Sequence, residues 1–401
     1  MYRKFINFIT HHYKFVSFLL GSITVQTMPP FYHWYIFFLS FSSLLLLLNQ
    51  AKNKKQAFNI GWLFGFGFFS FGLSWINNAL LITPSETGWL VPLTFILSGS
   101  FLGLFFGVPT FLCYFFKSLY SRYINLAAFI VIFEWIRSWI FTGFPWNLIG
   151  SGLTFNLELS QTASVWGTYG LSFLTILITS SPALLFYYKT KKSAFICIIA
   201  TIIAPTLMYV YGNTRIQNLY DTQKSPIKIR LVQPSIPQST KWSSKLRQQN
   251  FEKYINMSRS NGNINITIWG ETASPYILDM DDKAKEQALS AINENSFLIT
   301  GQVRYQSNYY NGYTPLNSAL IIAKNGTIEA SYDKSHLVPF GEYIPLRNLL
   351  PSFIRPIANT ISDFRAGSGP QTIILPNIPP LGIQICYEII FPHQIINTEY
   401  F

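Results

Sequence analysis

The sequence predicts a multi-pass α-helical membrane bundle in residues 1–211, followed by a layered α/β domain in residues 212–401. Three observations lead to this prediction. The first part is built from long apolar segments, and it carries 12 of the 29 Lys and Arg residues but only three of the 17 acidic residues. The second part has a nearly balanced charge, and segments typical of strands and helices alternate along it. A chain of 401 residues is long enough for two such domains.

The first part contains seven candidate membrane spans. A helix needs about 20 mostly apolar residues to cross a bilayer. The segments that meet this requirement are residues 13–29, 31–49, 57–79, 88–116, 122–141, 164–188 and 193–211. The first is the least apolar and could be a signal peptide, but no small-residue cleavage site follows it. We therefore expect an uncleaved first span and a domain of about seven transmembrane helices.

The basic residues predict the orientation of this bundle, because cytoplasmic loops are enriched in Lys and Arg. These residues precede the first span and occupy every second connection, at Arg3, Lys4, Lys14, Lys52, Lys54, Lys55, Lys117, Arg122, Lys189, Lys191 and Lys192. The alternate connections, near residue 30 and in 80–87 and 142–163, contain none. The pattern predicts a cytoplasmic N-terminus and a second domain on the opposite side of the membrane.

Composition also narrows the range of partners. The net charge of +12 is explained by loops beside lipid, and the second part has no basic stripe with interleaved aromatic residues, so no nucleic-acid partner is expected. The five histidines show no spacing typical of a metal site. Cys113 and Cys197 lie in apolar runs. Cys386 is the only cysteine of the second part, which therefore contains no internal disulfide.

Two ionisable residues fall within one predicted span. Glu134 and Arg137 lie three residues apart, on one face of a helix. Ionisable groups at membrane depth are often functional, but a satisfied pair near the outer end of the helix is the simpler explanation. We expect both side chains to face the bundle rather than lipid.

The second part shows the alternation of elements that is typical of a layered α/β domain. The predicted strands are residues 226–233, 264–269, 296–304, 317–323, 327–332 and 381–386, and the predicted helices are 240–260 and 281–294. Asn325-Gly326, between two strands, indicates a tight hairpin. The last strand is expected to end at Cys386.

Three chemically active residues, Glu271, Lys334 and Cys386, each adjoin a predicted strand. Singly, they are more often a solvated acid, a surface lysine and a small buried apolar residue. Jointly, they supply a thiol nucleophile, a cation for an oxyanion, and a carboxylate that can take the thiol proton if burial raises its pKa. A helix that starts near Tyr387 is expected to lower the pKa of the thiol.

Several motifs resemble those of the nitrilase superfamily, whose Glu-Lys-Cys triad occurs in this order, and more closely those of the apolipoprotein N-acyltransferase family. The specific motifs are His336-Leu337-Val338-Pro339-Phe340-Gly341-Glu342 and Ile385-Cys386-Tyr387-Glu388. Further matching segments are Thr142-Gly143-Phe144-Pro145-Trp146, residues 232–238, Lys241-Trp242, Trp269-Gly270-Glu271-Thr272 and residues 332–343. Together they span nearly the whole chain.

The resemblance implies an αββα sandwich in which Glu271 is the base, Lys334 stabilises the oxyanion and Cys386 is the nucleophile. It also implies that Glu342 supports the lysine. The other candidate site residues are Trp146, Trp242, Tyr343, Tyr387 and Glu388.

The implied reaction has two steps and needs no metal or cofactor. The thiolate takes an acyl chain from a phospholipid donor, which gives a thioester and a lysophospholipid. The α-amine of a diacylglyceryl-modified N-terminal cysteine in an apolipoprotein then accepts the chain as an amide. The implied location is the bacterial inner membrane, with the catalytic domain in the periplasm.

Two features depart from the family pattern. Gly270 stands where the family usually has proline. The family's domain also continues past the point where this chain ends, so the sandwich is expected to be incomplete at its C-terminus, with open strand edges. The sequence therefore leaves two alternatives beside the acyltransferase: a membrane-anchored nitrilase-type amidase with the same triad, and a truncated fragment without turnover.

Overall fold

The computed structural model describes residues 10–82, 84–220, 227–259, 262–307, 313–349, 363–392 and 394–395. The basic residues Arg3 and Lys4 lie outside these described residues. The chain divides into two compact units, residues 1–222 and 223–401. Each unit has its own hydrophobic core.

The described residues of the first unit form helices and the loops between them. The α-helices longer than one turn are α1 (Tyr13–Thr24), α2 (Ile36–Asn49), α3 (Lys54–Gly72), α4 (Val91–Cys113), α5 (Leu119–Arg137), α6 (Ala163–Ser180), α7 (Pro182–Tyr188), α8 (Lys191–Ile198) and α9 (Ala204–Tyr220). Three of them begin at a capping side chain inside a basic connection: Asn53, Ser118 and Thr190. Each cap accepts an N–H of the first helical turn, which has no partner within the helix. The basic connections therefore contain the starts of these helices.

Four helical stretches in the described part of the chain are long and apolar enough to cross a membrane. They are Pro84–Cys113, Leu119–Arg137, Ala163–Tyr188 and Lys191–Asn218, and they coincide with the last four predicted spans. The first three predicted spans overlap α1, α2 and α3. Because α1 has 12 residues, α2 has 14, and α3 is not among these four stretches, the three segments stay predictions as membrane spans.

The two ionisable residues of α5 are buried, as expected, and both hold the loop that follows. Glu134 is 4% exposed and Arg137 is 2% exposed. Arg137 Nη1 donates to the carbonyls of Phe144 (2.5 Å) and Trp146 (2.7 Å). Glu134 Oε1 accepts the N–H of Ile149 at 2.7 Å. Since buried charges need hydrogen-bonding partners, these contacts both stabilise the pair and fix the loop.

A five-stranded sheet with the order β1-β2-β3-β4-β5 forms the centre of the second unit. Its strands are β1 (Ile229–Val232), β2 (Ile266–Trp269), β3 (Phe297–Ser307), β4 (Tyr313–Ala323) and β5 (Ile328–Asp333). The first three strands are parallel, and β3, β4 and β5 are antiparallel. A separate antiparallel pair consists of β6 (Thr372–Leu375) and β7 (Ile378–Gly382).

Apolar side chains cover both faces of the large sheet. On one face, helices α10 (Arg247–Ser258) and α11 (Asp282–Leu289) pack through Phe251, Tyr254, Trp269, Ala288, Leu298, Leu320 and Ile322. On the other face, the sheet packs against β6 and β7 through Ile299, Ala319, Ile321, Tyr332, Ile373, Leu375 and Ile378. Successive residues of a strand point to opposite faces, so Leu320 and Ile321 enter different cores. The unit is therefore a layered α/β domain, as predicted.

The structure confirms five predicted strands and the predicted hairpin. Gly326 has a φ of 89°, and its N–H donates to the Ala323 carbonyl. The sixth prediction, a strand over 381–386, is wrong, because β7 ends at Gly382 and residues 383–385 reach Cys386 outside any strand. The β6–β7 hairpin was missed because Pro379-Pro380 argues against a strand at that position.

Candidate active site

The three predicted catalytic residues lie in the second unit, each at or near the end of a strand or short helix. Glu271 lies two residues after β2, Lys334 directly follows β5, and Cys386 begins the short 3-10 helix Cys386–Ile390. The thiol of Cys386 interacts electrostatically with both Glu271 and Lys334. Folding therefore brings the three side chains into one cluster.

Lys334 is enclosed by protein, and its ammonium lies between two carboxylates. Its side chain is 1% exposed. Nζ lies 2.9 Å from Glu342 Oε2, 3.0 Å from Glu342 Oε1 and 3.4 Å from Glu271 Oε1. Burial by itself lowers the pKa of Lys334, but the charges of Glu342 and Glu271 outweigh burial, so the pKa is raised. Lys334 is therefore a fixed cation at neutral pH.

Cys386 carries a protonated thiol at neutral pH, because its pKa is raised to about 11. Although the residue as a whole is exposed, desolvation of the thiol by surrounding protein is the largest cause. The charge of Glu271 and a hydrogen bond with it also raise the pKa, and the charge of Lys334 partly opposes them. The expected lowering by a following helix is wrong, because desolvation and Glu271 raise the pKa, and the segment that starts at Cys386 is a 3-10 helix of five residues rather than an α-helix.

The backbone of Cys386 is strained. Its φ of 51° lies in the left-handed region, which residues with a side chain rarely occupy. Such a conformation costs about 1–3 kcal/mol and persists only where the surroundings enforce it.

A buried carboxylate, Glu388, supplies part of that enforcement. It is 3% exposed. Its Oε2 accepts the N–H of Ile385 at 2.8 Å, directly before the cysteine. Its Oε1 accepts the Tyr332 hydroxyl (2.7 Å), the Ser335 N–H (2.8 Å), the Ser335 hydroxyl (2.7 Å) and the His336 N–H (3.1 Å). Glu388 therefore ties the chain before Cys386 to the segment on either side of Lys334.

Asn317, in β4, is a further member of the cluster. It is 3% exposed. Its Nδ2 donates to Glu271 Oε1 at 2.7 Å and to Glu342 Oε1 at 2.8 Å. Its backbone carbonyl accepts the N–H of Lys334 at 2.8 Å. One residue thus contacts the lysine and both carboxylates.

The turn that carries Glu271 is fixed by a lysine and by a close approach to β3. Lys241 Nζ donates to the Glu271 carbonyl (3.2 Å) and to the Thr272 hydroxyl (2.7 Å). Gly301 of β3 lies against the turn, where an added Cβ would stand 2.5 Å from Thr272 N and 2.8 Å from Glu271 Cα. A Cβ on Gly270 would meet nothing within 4 Å. The sheet therefore requires glycine at 301 but not at 270.

Comparisons with known proteins match both units. Residues 20–181 match the family described as apolipoprotein N-acyltransferase N-terminal domain, and residues 228–398 match carbon-nitrogen hydrolase. An apolipoprotein N-acyltransferase of Rickettsia prowazekii (strain Madrid E) is 34% identical over 393 residues, which cover 96% of this chain and 77% of the relative. Those of Allorhizobium ampelinum and Rhodopseudomonas palustris are 34% and 32% identical, and each match covers 74% of the relative and 94% or 95% of this chain.

The chain belongs to the apolipoprotein N-acyltransferase family. It is therefore an acyltransferase, and the predicted fold class, a helical membrane bundle joined to a nitrilase-like domain, is confirmed. The carbon-nitrogen hydrolase match includes Glu271, Lys334 and Cys386, and the N-terminal match includes Trp146.

The remaining candidate residues of this N-acyltransferase family member occupy different surroundings. Tyr387 is buried against His336 and Phe391, with ring centroids 5.8 and 5.2 Å away. Trp242 is 55% exposed, and the Lys241 ammonium lies 5.6 Å from its ring centroid. Tyr343 is half-buried, and its carbonyl accepts the Phe340 N–H. In the first unit, Trp146 packs against Trp75 at 5.2 Å.

Sequence reasoning missed Asn317 and Gly301, and it named Lys241 only as part of a matching segment, without a role. The signal for Asn317 was a polar amide at the start of the predicted strand 317–323, next to its apolar run, because a buried amide needs a hydrogen-bonding partner. Gly301 gave no local signal. Among the described residues, no group of three or more His, Cys, Asp or Glu could hold a metal ion.

Proposed function

We propose that this protein transfers a fatty acyl chain from a phospholipid to the N-terminal α-amine of a diacylglyceryl-cysteine apolipoprotein, through a thioester on Cys386. The observation that carries the proposal is the cluster in which a protonated thiol interacts with Glu271 and with the buried cation Lys334. The relatives' names specify acyl transfer to apolipoproteins, and four helices of this chain suit a membrane.

In the first step, Glu271 takes the proton of the Cys386 thiol, and the thiolate attacks the ester carbonyl of the phospholipid. The ammonium of Lys334 stabilises the negative oxygen of the tetrahedral intermediate. When the intermediate collapses, the C–O bond of the ester breaks. The lysophospholipid alkoxide leaves with the proton from Glu271, and the acyl chain stays on sulfur.

In the second step, the α-amine of the acceptor attacks the thioester carbonyl. Glu271 accepts a proton from the amine, the C–S bond breaks, and the thiolate of Cys386 recovers the proton from Glu271. The resting state, with its protonated thiol, is restored without any added reagent. Because water competes with the amine, the thioester has to be shielded from bulk solvent, which favours lipid substrates at a membrane surface.

The proposed location is the bacterial inner membrane, with a cytoplasmic N-terminus and a periplasmic second unit. The alternation of basic and uncharged connections supports this orientation. To test it, a single cysteine is placed at Met280 or at Lys54, both exposed, in a chain whose own cysteines are replaced. A membrane-impermeant maleimide added to intact spheroplasts is expected to label Met280→Cys and spare Lys54→Cys; the reverse pattern rejects the orientation.

The reaction is tested by incubating the purified protein with a phospholipid that carries a labelled acyl chain. Mass spectrometry is expected to find the chain on Cys386 of the wild type and of Cys113→Ala, but not of Cys386→Ala. Addition of a diacylglyceryl-cysteine peptide should then move the chain to the peptide amine. Equal labelling of all three proteins refutes the thioester. Ammonia release from small amides without any acyl adduct indicates an amidase instead.

A further inference from the structure

The Asn317 amide lies between the two carboxylates of the candidate active site. Its Nδ2 is 2.7 Å from Glu271 Oε1 and 2.8 Å from Glu342 Oε1. An amide nitrogen carries two hydrogens, so it can donate one to each carboxylate. The same two oxygens also receive Lys334 Nζ, at 3.4 and 3.0 Å.

The orientation of this amide follows from its neighbours. With the amide reversed, Oδ1 would face two carboxylate oxygens, and no hydrogen bond would form unless one of the acids were protonated. In the observed orientation, Oδ1 is buried and has no hydrogen-bond partner among the described residues. A buried unsatisfied acceptor costs stability, so the contacts of Nδ2 have to outweigh that cost.

We propose that Asn317 is a positioning residue: its amide donates to Oε1 of Glu271 and holds that oxygen in place, so that Oε2 is directed to the Cys386 thiol. The inference rests on the proposed function, in which Glu271 takes the thiol proton. Both hydrogen bonds from Asn317 and Lys334 end on Oε1, which leaves Oε2 as the oxygen for that proton.

At the position of Asn317, a neutral hydrogen-bond donor holds the Glu271 carboxylate better than a cation would. Among the described residues, four titratable groups lie around Glu271: Lys334, the Cys386 thiol, Glu342 on the far side of the lysine, and Lys241 near the turn. Lys334 balances the charge of only one carboxylate. A cation in place of the Asn317 amide would stabilise the charge of the second carboxylate too, but it would also lower the basicity of Glu271. An amide stabilises the charge by hydrogen bonds and adds no charge of its own.

The test compares Asn317→Leu, which removes both donors, and Asn317→Asp, which replaces them with a charged acceptor. Single-turnover formation of the acyl-enzyme is measured against pH with the labelled phospholipid. Loss of a hydrogen bond to a carboxylate, or addition of a like charge, raises the carboxyl pKa. We therefore expect the acid limb of the rate profile to move up by about one pH unit and the plateau to fall about 10-fold. Asn317→Ser, which retains one donor, should lie between the wild type and Asn317→Leu.

Gln302→Glu is the matched control, because it makes the same amide-to-acid change in the neighbouring strand. Gln302 is 1% exposed and donates to Asp279 at 2.6 Å, outside the cluster. It should lower thermal stability without moving the acid limb. If the Asn317 variants slow the reaction equally at every pH, or leave it unchanged, the role in positioning Glu271 is rejected.

A second measurement separates this inference from the proposed function, since it needs no substrate. Infrared difference titration of the free enzyme follows the carboxyl band that disappears in Glu271→Gln. The midpoint of this band should rise in Asn317→Leu; an unchanged midpoint overturns the inference even where the acyl-enzyme forms. If the wild type forms no acyl-enzyme but the midpoint still rises in Asn317→Leu, the proposed acyl transfer is refuted and the role of Asn317 stands.

Discussion

Replacing Gly301 with alanine tests whether the turn that carries Glu271 has to lie directly against β3. The new Cβ would stand 2.5 Å from Thr272 N, 2.6 Å from the Gly270 carbonyl oxygen and 2.8 Å from Glu271 Cα. All three are backbone atoms, so no side-chain rotation removes the overlap. Ordinary contact begins at 3.4 Å, and the Glu271 backbone therefore has to move by about 0.6 Å.

A displacement of this size changes the distances on which the proposed chemistry depends. Glu271 Oε1 is already 3.4 Å from Lys334 Nζ, and the carboxylate also has to reach the thiol of Cys386. A misplacement of about 1 Å can cost about 100-fold in rate. We therefore expect acyl-enzyme formation at Cys386 to slow by about 10-fold to 100-fold, with a loss of stability of about 1–3 kcal/mol from overpacking.

The assay is single-turnover acylation of Cys386, followed by mass spectrometry, with thermal unfolding measured on the same samples. Gly270→Ala is the control, because it changes the neighbouring residue where the added Cβ meets open space. It should keep the wild-type rate within about twofold. If Gly301→Ala acylates at the wild-type rate, or if Gly270→Ala is equally slow, close packing at 301 does not position Glu271.

Three further predictions concern charge and burial. The rate of Cys386 labelling by iodoacetamide, followed by mass spectrometry, should have its pH midpoint near 11. Glu271→Gln should lower that midpoint and Lys334→Met should raise it. A wild-type midpoint below pH 8 contradicts the raised pKa of the thiol. Glu388→Gln places an NH2 group among hydrogen-bond donors, so it should lower the unfolding free energy by about 3 kcal/mol and the midpoint of thermal unfolding with it. Arg137→Leu removes the donor of two loop carbonyls and should also lower thermal stability; an unchanged midpoint shows that the loop is held by other contacts.

Most of the fold could be predicted because its signals are local. Apolar runs predicted the positions of the membrane-type helices, and short strand-like segments predicted five strands of the large sheet, since both patterns depend on neighbouring residues only. The β6–β7 hairpin could not be predicted in this way. Pro379 and Pro380 remove backbone donors, and a strand with them forms only where its other contacts are favourable. Here the packing of Ile373, Leu375 and Ile378 on the large sheet supplies those contacts.

The candidate site was only partly predictable, for the same reason. Glu271, Lys334 and Cys386 could be selected because their chemistry is distinctive and each adjoins an apolar segment. Asn317 acts on a residue 46 positions away in the chain, so its role depends on strand register. Gly301 matters because the pairing of β2 with β3 brings it against the turn after β2. Neither of these two contacts, Asn317 with Glu271 or Gly301 with the turn, can be read from the local sequence.

The thiol pKa shows most clearly why neighbours in space outweigh neighbours in sequence. The local motif suggested a helix end and hence a reactive thiolate, but desolvation and the Glu271 charge raise the pKa to about 11. At pH 7 only about one molecule in 10,000 then carries a thiolate. Oxidation and alkylation require the thiolate, so an unpaired cysteine with this pKa can persist in the oxidising periplasm that we propose for it. Lys334, held as a cation, cannot take the proton, and of the two carboxylates only Glu271 hydrogen-bonds the thiol, which supports the proposal that Glu271 is the base.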